Sequence, residues 1–168
     1  MEELNNFLKS NEETDFDKEI ENYPKEKLIY IVENGYDIEL IEAAFQKLSF
    51  IDEDYALTKG MEFLRNDEFD PYFQACIIDC IYQLDREKVL DCILSRTADV
   101  DFYFFEEILR RMLAYTTYEA LMKMKNYKSY LSYLFEQYNK YSADEKNEMQ
   151  DLLNEFLQKF HLEALWKK

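Results

Sequence analysis

Glycine, proline and histidine are scarce in this chain of 168 residues, which has two Gly, two Pro and one His. Sandwiches and barrels need many tight turns in which Gly and Pro set the backbone, so this scarcity disfavours both. The single histidine, His161, lies in no motif that would let an imidazole activate a Ser or Cys nucleophile. Glycine-rich phosphate loops of the GxxxxGK and GxGxxG types are also absent. These absences argue against an all-β fold and leave no recognisable nucleophilic or phosphate-binding site.

Acidic residues outnumber basic residues: the chain has 36 Asp and Glu but 20 Lys and Arg, and its formal net charge is −16. Such an acidic chain repels the phosphates of nucleic acids and of anionic membranes, so we expect neither as a direct partner. No stretch reaches the ~18 apolar residues of a membrane-spanning helix, and the first residues lack a basic and apolar leader pattern. The cysteines are odd in number, which fits reduced thiols better than a disulfide scaffold: Cys76, Cys80 and Cys92. We therefore expect a cytoplasmic protein.

Aromatic and apolar residues, by contrast, are plentiful, with 14 Tyr, 13 Phe and 1 Trp in a chain that is 48% hydrophobic. This composition is unlike that of disordered acidic tails and suffices for one core. Apolar residues recur at intervals of three and four, the helical period, and capping residues separate the runs. Pro24 and Pro71 are predicted as first helical residues, and Gly35 as a left-handed residue that ends a helix. The sequence therefore predicts an all-α protein.

The predicted helix caps are evenly spaced. Asp37, Asp70 and Asp101 are predicted N-caps separated by 33 and 31 residues. Each is followed 15 residues later by a second predicted cap, namely Asp52, Asp85 and Thr116. Thr116 and Ser142 also begin segments with the spacing of a capping box. Two helices in a unit of about 32 residues are typical of a helical-hairpin repeat.

Side chains at matching positions of these units are apolar. The positions three, seven, eight and eleven residues after the first caps hold Leu40, Ala44, Phe45 and Leu48, then Phe73, Ile77, Ile78 and Ile81, then Phe104, Ile108, Leu109 and Met112. The positions five residues after the second caps hold Leu57, Leu90 and Leu121. The alternative to a repeat is an irregular helical bundle with chance periodicity.

The units divide the chain into a capping hairpin over residues 1–36, repeats over 37–69, 70–100 and 101–126, and a second capping hairpin over 127–168. Over residues 24–157 this pattern resembles that of HEAT-type α-solenoids. The resemblance implies a single domain, a short right-handed stack of four to five helical hairpins. In such a stack the first helices line the convex side and the second helices line the concave side.

Candidate catalytic and metal-binding residues do not form a recognisable set. Cys76 and Cys80 are four apart on one predicted helix, but the third Cys and a distant His do not complete the four ligands of a zinc site. The acids of Asp52-Glu53-Asp54 fit a capped helix start better than a calcium loop, since Leu57 stands where that loop needs Gly. We expect no metal, no other cofactor and no enzymatic activity.

Acidity is concentrated towards the N-terminus. Residues 1–70 hold 20 acids and 7 bases, net −13, whereas residues 71–168 hold 16 and 13, net −3. On the second helices, the residues two, three, six and ten positions after the cap should point away from the core. Acids and tyrosines at these positions suit the Lys and Arg of a protein partner. The predicted partner-binding residues are Asp54, Tyr55, Glu62, Glu87, Asp91, Tyr118 and Glu119.

In size, acidity and repeat pattern, the chain resembles the immunity proteins of bacterial polymorphic-toxin and contact-dependent growth-inhibition systems. The resemblance implies a protein, monomeric when free, that neutralises a cognate toxin domain, often a basic nuclease, by binding tightly over its active site. Two other classes stay open. One is a helical-repeat adaptor or scaffold for a peptide or regulatory protein, and the other is an acidic DNA mimic that inhibits nucleic-acid-binding proteins.

Overall fold

The computed structural model describes residues 16–66, 69–96 and 99–166, and all regular secondary structure in these ranges is helical. The helices are α1 (Phe16–Ile20), α2 (Lys25–Asn34), α3 (Ile38–Ile51), α4 (Glu53–Asn66), α5 (Pro71–Ile81), α6 (Arg86–Leu94), α7 (Phe102–Tyr115), α8 (Tyr118–Lys123), α9 (Tyr127–Lys140), α10 (Ala143–Glu148), α11 (Gln150–Lys159) and α12 (Glu163–Trp166). The predicted all-α class is therefore confirmed. None of these helices is both long and apolar enough to cross a membrane.

Contacts divide the chain into two compact units, one ending at Lys59 and the other beginning at Gly60. The first fifteen residues of the predicted capping hairpin lie outside the described residues. The single domain and its repeat boundaries stay predictions.

Aspartates cap these helices largely as predicted. Five of them accept a backbone N–H two or three residues further along the chain, at 2.9 to 3.2 Å: Asp37, Asp52, Asp70, Asp85 and Asp101. Each bond satisfies a donor that the first helical turn leaves without a partner, and the negative charge lies at the positive end of the helix dipole. The predicted capping box between Ser142 and Glu145 is also present.

The predicted cap Thr116 is wrong by one residue. The N–H of Thr116 closes α7 by bonding to the carbonyl of Met112 at 3.0 Å, and its hydroxyl is buried against the Tyr82 hydroxyl at 2.7 Å. The hydroxyl of Thr117 accepts the N–H of Ala120 at 3.1 Å and so begins α8. Thr116 and Thr117 are equally suitable N-caps in the sequence. The Thr116 hydroxyl is hydrogen-bonded to the distant Tyr82, and Thr117 provides the cap.

We expect Thr117→Ala to lower the free energy of unfolding by about 1 kcal/mol, because the helix loses its capping acceptor. Thr117→Ser keeps the hydroxyl and should remain close to the wild type. Urea unfolding followed by circular dichroism measures both variants. An equal loss for the two variants would contradict the capping role.

Two further helix-end predictions are corrected. Helix α2 begins at Lys25, and Pro24 is its N-cap, because the extended Pro24 carbonyl already accepts the first helical N–H groups. Gly35 ends α2 with φ −67° and ψ 155°, an extended conformation that any residue can adopt. Glycine is required there by space, since a Cβ would lie 2.6 Å from the carbonyl oxygen of Ile31. Left-handed backbone is found instead at Phe69 and His161.

The first unit packs α2 against α3. The buried side chains of α2 are Leu28, Ile31 and Val32, and those of α3 include the predicted apolar residues Leu40, Ala44, Phe45 and Leu48. A salt bridge of 2.5 Å between Lys25 Nζ and Asp52 Oδ2 joins the starts of α2 and α4. The hydrogen bond from Lys25 is the main cause that lowers the pKa of the Asp52 carboxyl.

The second unit packs α7 against α5 on one side and against α11 on another, while α6 contacts α9. The predicted inward residues of α5 and α7 are all buried: Phe73, Ile77, Ile78, Ile81, Phe104, Ile108, Leu109 and Met112. Burying one such side chain is worth roughly 1.5–3 kcal/mol, so these columns form the main stabilising surface. The stacking of hairpins into a solenoid stays a prediction.

Arg96 is a buried residue that the sequence pattern does not predict, with only 8% of its surface exposed. Its guanidinium donates to the carbonyl of Leu64 and to Gln74 Oε1, the latter at 3.1 Å. The same group lies 4.9 Å from the ring centroid of Phe104. The carbonyl of Leu64 belongs to the last turn of α4, where carbonyls have no helical partner. Arg96 therefore ties α4, α5 and α7 together.

Candidate functional site

The seven predicted partner-binding residues lie on α4, α6 and α8, and none of them is buried. Five are exposed, namely Asp54, Glu87, Asp91, Tyr118 and Glu119, and two are partly exposed, namely Tyr55 and Glu62. The opposite faces of the same helices carry the buried Ala56, Val89, Leu90 and Leu121. The helical period thus accounts for the position of all seven.

Asp54 and Tyr55 lie in the first turn of α4, within the first unit. The Tyr55 hydroxyl donates to Glu33 Oε1 on α2 at 3.5 Å, and the Tyr55 N–H donates to Asp52. Glu53 and Asp54 beside it are exposed. Tyr55 therefore lies among several carboxylates of the first unit.

In the second unit, Glu87 and Asp91 border the turn between α8 and α9. Glu87 Oε1 accepts the backbone N–H of Lys125 at 2.8 Å. Asp91 Oδ1 accepts hydrogen bonds from Asn126 Nδ2 at 2.8 Å and from the Tyr130 hydroxyl at 2.7 Å. These bonds hold α6 against the turn and fix both carboxylates in place while they remain exposed.

The surroundings of the Tyr130 hydroxyl keep it protonated in this contact. Burial is the main cause that raises the pKa of Tyr130, and the hydrogen bond to Asp91 raises it further. Tyr130 therefore stays a neutral donor over the physiological pH range. A carboxylate held in this way needs little reorganisation before it meets a cation.

A mainly apolar groove of about 520 Å³ runs along one face of α8. Its aromatic walls come from α8, α9 and the end of α11: Tyr118, Tyr127, Phe135, Phe160 and His161. Met122, Leu131 and Leu162 complete the apolar lining, and Lys128 and Ser132 add polar groups. Volume and lining fall in the range of grooves that take a ligand or an anchoring side chain of a partner.

A second and more polar groove, of about 460 Å³, lies on the opposite face of α8. Its lining combines Ala120, Lys123 and Met124 of the α8 region with the start of α6, including Asp85, Arg86 and Glu87. We call the two grooves, with Glu87, Asp91, Tyr118 and Glu119, the α6–α8 surface. It gathers four of the seven predicted residues in one unit.

The turn that ends α11 sets one rim of the apolar groove. The N–H of Leu162 bonds to the Leu157 carbonyl at 2.8 Å and the N–H of His161 bonds to the Gln158 carbonyl at 3.3 Å, the two bonds of a Schellman motif. The motif needs a left-handed residue, and His161 supplies it with φ 54°. The imidazole then stands edge-on to Tyr118, with ring centroids 5.1 Å apart. His161 thus shapes the groove.

The sequence pattern did not predict the apolar groove, whose aromatic lining includes Tyr127, Phe135 and Phe160. A signal was present in the spacing, since the predicted unit 101–126 has 26 residues whereas the two before it have 33 and 31. The second helix of that unit, α8, has six residues, against nine in α6 and fourteen in α4. Because α8 is so short, it does not cover the whole facing side of α9, and the apolar groove lies between the two helices.

Cys92 and the possible metal ligands of the described ranges are the remaining candidates for a chemical site. The Cys92 thiol is buried, lies 3.3 Å from the carbonyl of Met61 and has a pKa raised by that burial. Within residues 16–66, 69–96 and 99–166, no group of three or more His, Cys, Asp and Glu could hold a metal ion. The geometry of the α6–α8 surface suits recognition of another molecule.

Fold and surface together define an all-α protein that displays acids and tyrosines around two grooves. A scan against protein-family models, a search of curated proteins and a search of solved structures gave no match to this chain. The functional conclusion therefore depends on the residues themselves.

Proposed function

We propose that this protein binds and neutralises a basic protein partner, as an immunity protein does with its cognate bacterial toxin. The observation that carries the proposal is the α6–α8 surface in a chain of net charge −16. Glu87 lines its polar groove, Tyr118 lines the apolar groove on the opposite face of α8, and Asp91 and Glu119 are exposed on the same two helices. Carboxylates pair strongly with Lys and Arg, and a desolvated aromatic groove supplies the contacts that dominate binding energy. A nuclease-type toxin has a basic cleft that holds phosphate, and the acids would enter that cleft.

The proposed architecture is a HEAT-like stack in a single domain, with the second helices on one concave side. Recurrent aspartate caps and apolar columns at matching positions support it. The protein would be a cytoplasmic monomer until it meets its partner. An acid excess of this size also steers a basic protein towards the surface and raises the association rate constant.

Co-expression with the product of the adjacent gene tests the function. We expect the two proteins to co-purify as a stoichiometric complex, and the protein to rescue growth when the partner is expressed as a toxin. Isothermal titration then measures the affinity. A neighbour that is neither toxic nor bound by this protein would overturn the proposal.

Removing two acids of the α6–α8 surface should weaken that complex. We expect Glu87→Gln with Glu119→Gln to raise Kd by about tenfold, mostly through slower association, because both substitutions remove charge and keep shape. The matched control is Glu136→Gln with Glu155→Gln, two exposed acids on α9 and α11 with the same change in net charge. Surface plasmon resonance at low salt compares the two. Equal weakening by both pairs would show that net charge alone matters and would exclude this surface.

A second candidate function is an adaptor that takes an apolar segment of a regulatory protein, and the 520 Å³ groove is the observation that favours it. The two functions differ in salt dependence. Binding led by charge weakens steeply between 50 and 200 mM salt, whereas docking led by the groove changes little, because added salt screens exposed charges over about 10 Å. Tyr118→Ala should then weaken adaptor binding more than the loss of Glu87 and Glu119 does.

A further inference from the structure

Two exposed tyrosines of the second unit stack on each other outside the α6–α8 surface. Tyr72 and Tyr103 are 62% and 44% exposed, and their ring centroids lie 4.6 Å apart with planes inclined by 30°. Both occupy the second position of a helix, Tyr72 in α5 and Tyr103 in α7, and these two helices pack together. The pairing of equivalent helix starts therefore places the rings side by side at the surface.

The Tyr pair is held in position by its neighbours. The buried ring of Phe102 stands edge-on to Tyr103, with centroids 5.4 Å apart, and also contacts Tyr141 at 6.1 Å. The N–H of Tyr103 donates to the capping Asp101 at 2.9 Å. A rigid aromatic surface of this kind loses little conformational entropy when a partner binds.

Acidic groups surround the Tyr pair. The capping residues Asp70 and Asp101 immediately precede Pro71 and Phe102 at the starts of the two helices, and both are exposed. The pKa of the Tyr103 hydroxyl is raised, first by its hydrogen bond with Tyr72 and further by the charges of Glu148 and Asp101. The local field is therefore negative at an aromatic surface, the combination that attracts an organic cation.

We propose that the Tyr72–Tyr103 pair binds an arginine side chain of a basic protein partner. The inference rests on the proposed function in taking that partner to be basic, and it adds a second contact and a preferred residue. A guanidinium is planar and weakly hydrated, so it stacks on a tyrosine face while its N–H groups reach a carboxylate such as Asp101 or Glu148. The compact ammonium of Lys gains less from the flat surface. Single-stranded nucleic acid, which also stacks on aromatic rings, is disfavoured by the surrounding acids.

Two blocked peptides test the preference directly, one with the sequence Gly-Arg-Gly-Arg-Gly and one with Lys in place of both Arg. Nuclear magnetic resonance of the full chain with ¹³C-labelled tyrosine rings follows the titration at low salt. We expect the Tyr72 and Tyr103 signals to shift, and the Arg peptide to bind about three- to fivefold more tightly than the Lys peptide. In the double variant Tyr72→Leu with Tyr103→Leu, the ratio of the two peptide affinities should fall to about one.

Tyr36→Leu is the matched control, because Tyr36 is 81% exposed and has acidic neighbours at Asp37 and Glu39. It should leave the ratio unchanged. Three outcomes would each overturn the proposal. The wild type could bind the two peptides equally, the Tyr36→Leu control could lose the preference for the Arg peptide, or oligothymidylate could shift the Tyr72 and Tyr103 signals. These outcomes are independent of toxin neutralisation. If the protein prefers the Arg peptide but does not rescue growth, only the proposed function is refuted. If it rescues growth but shows no preference for the Arg peptide, only the proposed role of the Tyr pair is refuted.

Discussion

Arg96→Ala is expected to lower the free energy of unfolding by about 3 kcal/mol. The substitution removes the hydrogen bonds that the guanidinium donates to Leu64 O and Gln74 Oε1, and it leaves these two acceptors without that donor in a buried environment. It also removes the packing of the side chain on Phe104 and opens a cavity. Urea unfolding followed by circular dichroism gives the change.

Variants that keep part of the arrangement separate these contributions. Arg96→Lys keeps the charge but lacks the planar fork that reaches two acceptors, so we expect about 2 kcal/mol of destabilisation. Arg96→Leu combined with Gln74→Leu should cost less than the sum of the two single changes. The reason is that the Arg96–Gln74 hydrogen bond is lost only once and neither polar side chain is left buried without the other, so that of the two acceptors only Leu64 O still lacks the Arg96 donor. The control Arg110→Ala removes an exposed guanidinium that pairs with Glu106 and should cost below about 0.5 kcal/mol. Equal effects at Arg96 and Arg110 would contradict the structural role of Arg96.

What could be predicted from the sequence was local in origin. Asp37, Asp70 and Asp101 bond to N–H groups two or three residues away, so their spacing alone reveals them. The apolar columns follow from the helical period in the same way. Exposure of Glu87 and Glu119 follows too, because positions that face the solvent repeat with the same period.

What could not be predicted depends on residues far apart in the chain. Arg96 is buried because Leu64 and Gln74, 32 and 22 residues earlier, provide acceptors. Asp91 has a role in holding the turn after α8 because Asn126 and Tyr130, 35 and 39 residues later, donate to it. The apolar groove depends on the length of α8 relative to the helices beside it, which no periodic pattern encodes.

Gly35 shows how a correct residue can be assigned for the wrong reason. Glycine after a helix usually signals a left-handed turn, but here the backbone is extended, with φ −67° and ψ 155°. The structural reason is the close approach of two elements. A Cβ at this position would lie 2.6 Å from Ile31 O and 2.8 Å from Ile41 Cγ1.

Gly35→Ala is therefore expected to lower the free energy of unfolding by about 2 kcal/mol. At an extended glycine with open space the same change would stabilise the protein by about 0.4–1 kcal/mol, because Ala restricts the unfolded chain. The steric effect should dominate, since the Ile31 carbonyl accepts the N–H of residue 35 at 2.7 Å and cannot move away without weakening that bond.

Two measurements check this expectation. Urea unfolding gives the stability, and hydrogen exchange at the residue 35 amide should be at least about tenfold faster in the variant, corresponding to about 1.4 kcal/mol of easier opening. Tyr36→Ala is the control, because the neighbouring Tyr36 is 81% exposed and its loss should change stability by less than about 0.5 kcal/mol. A stabilised Gly35→Ala variant would show that α2 and α3 have room for a side chain at this position. The close approach of Ile31 and Ile41 would then not be the reason for glycine.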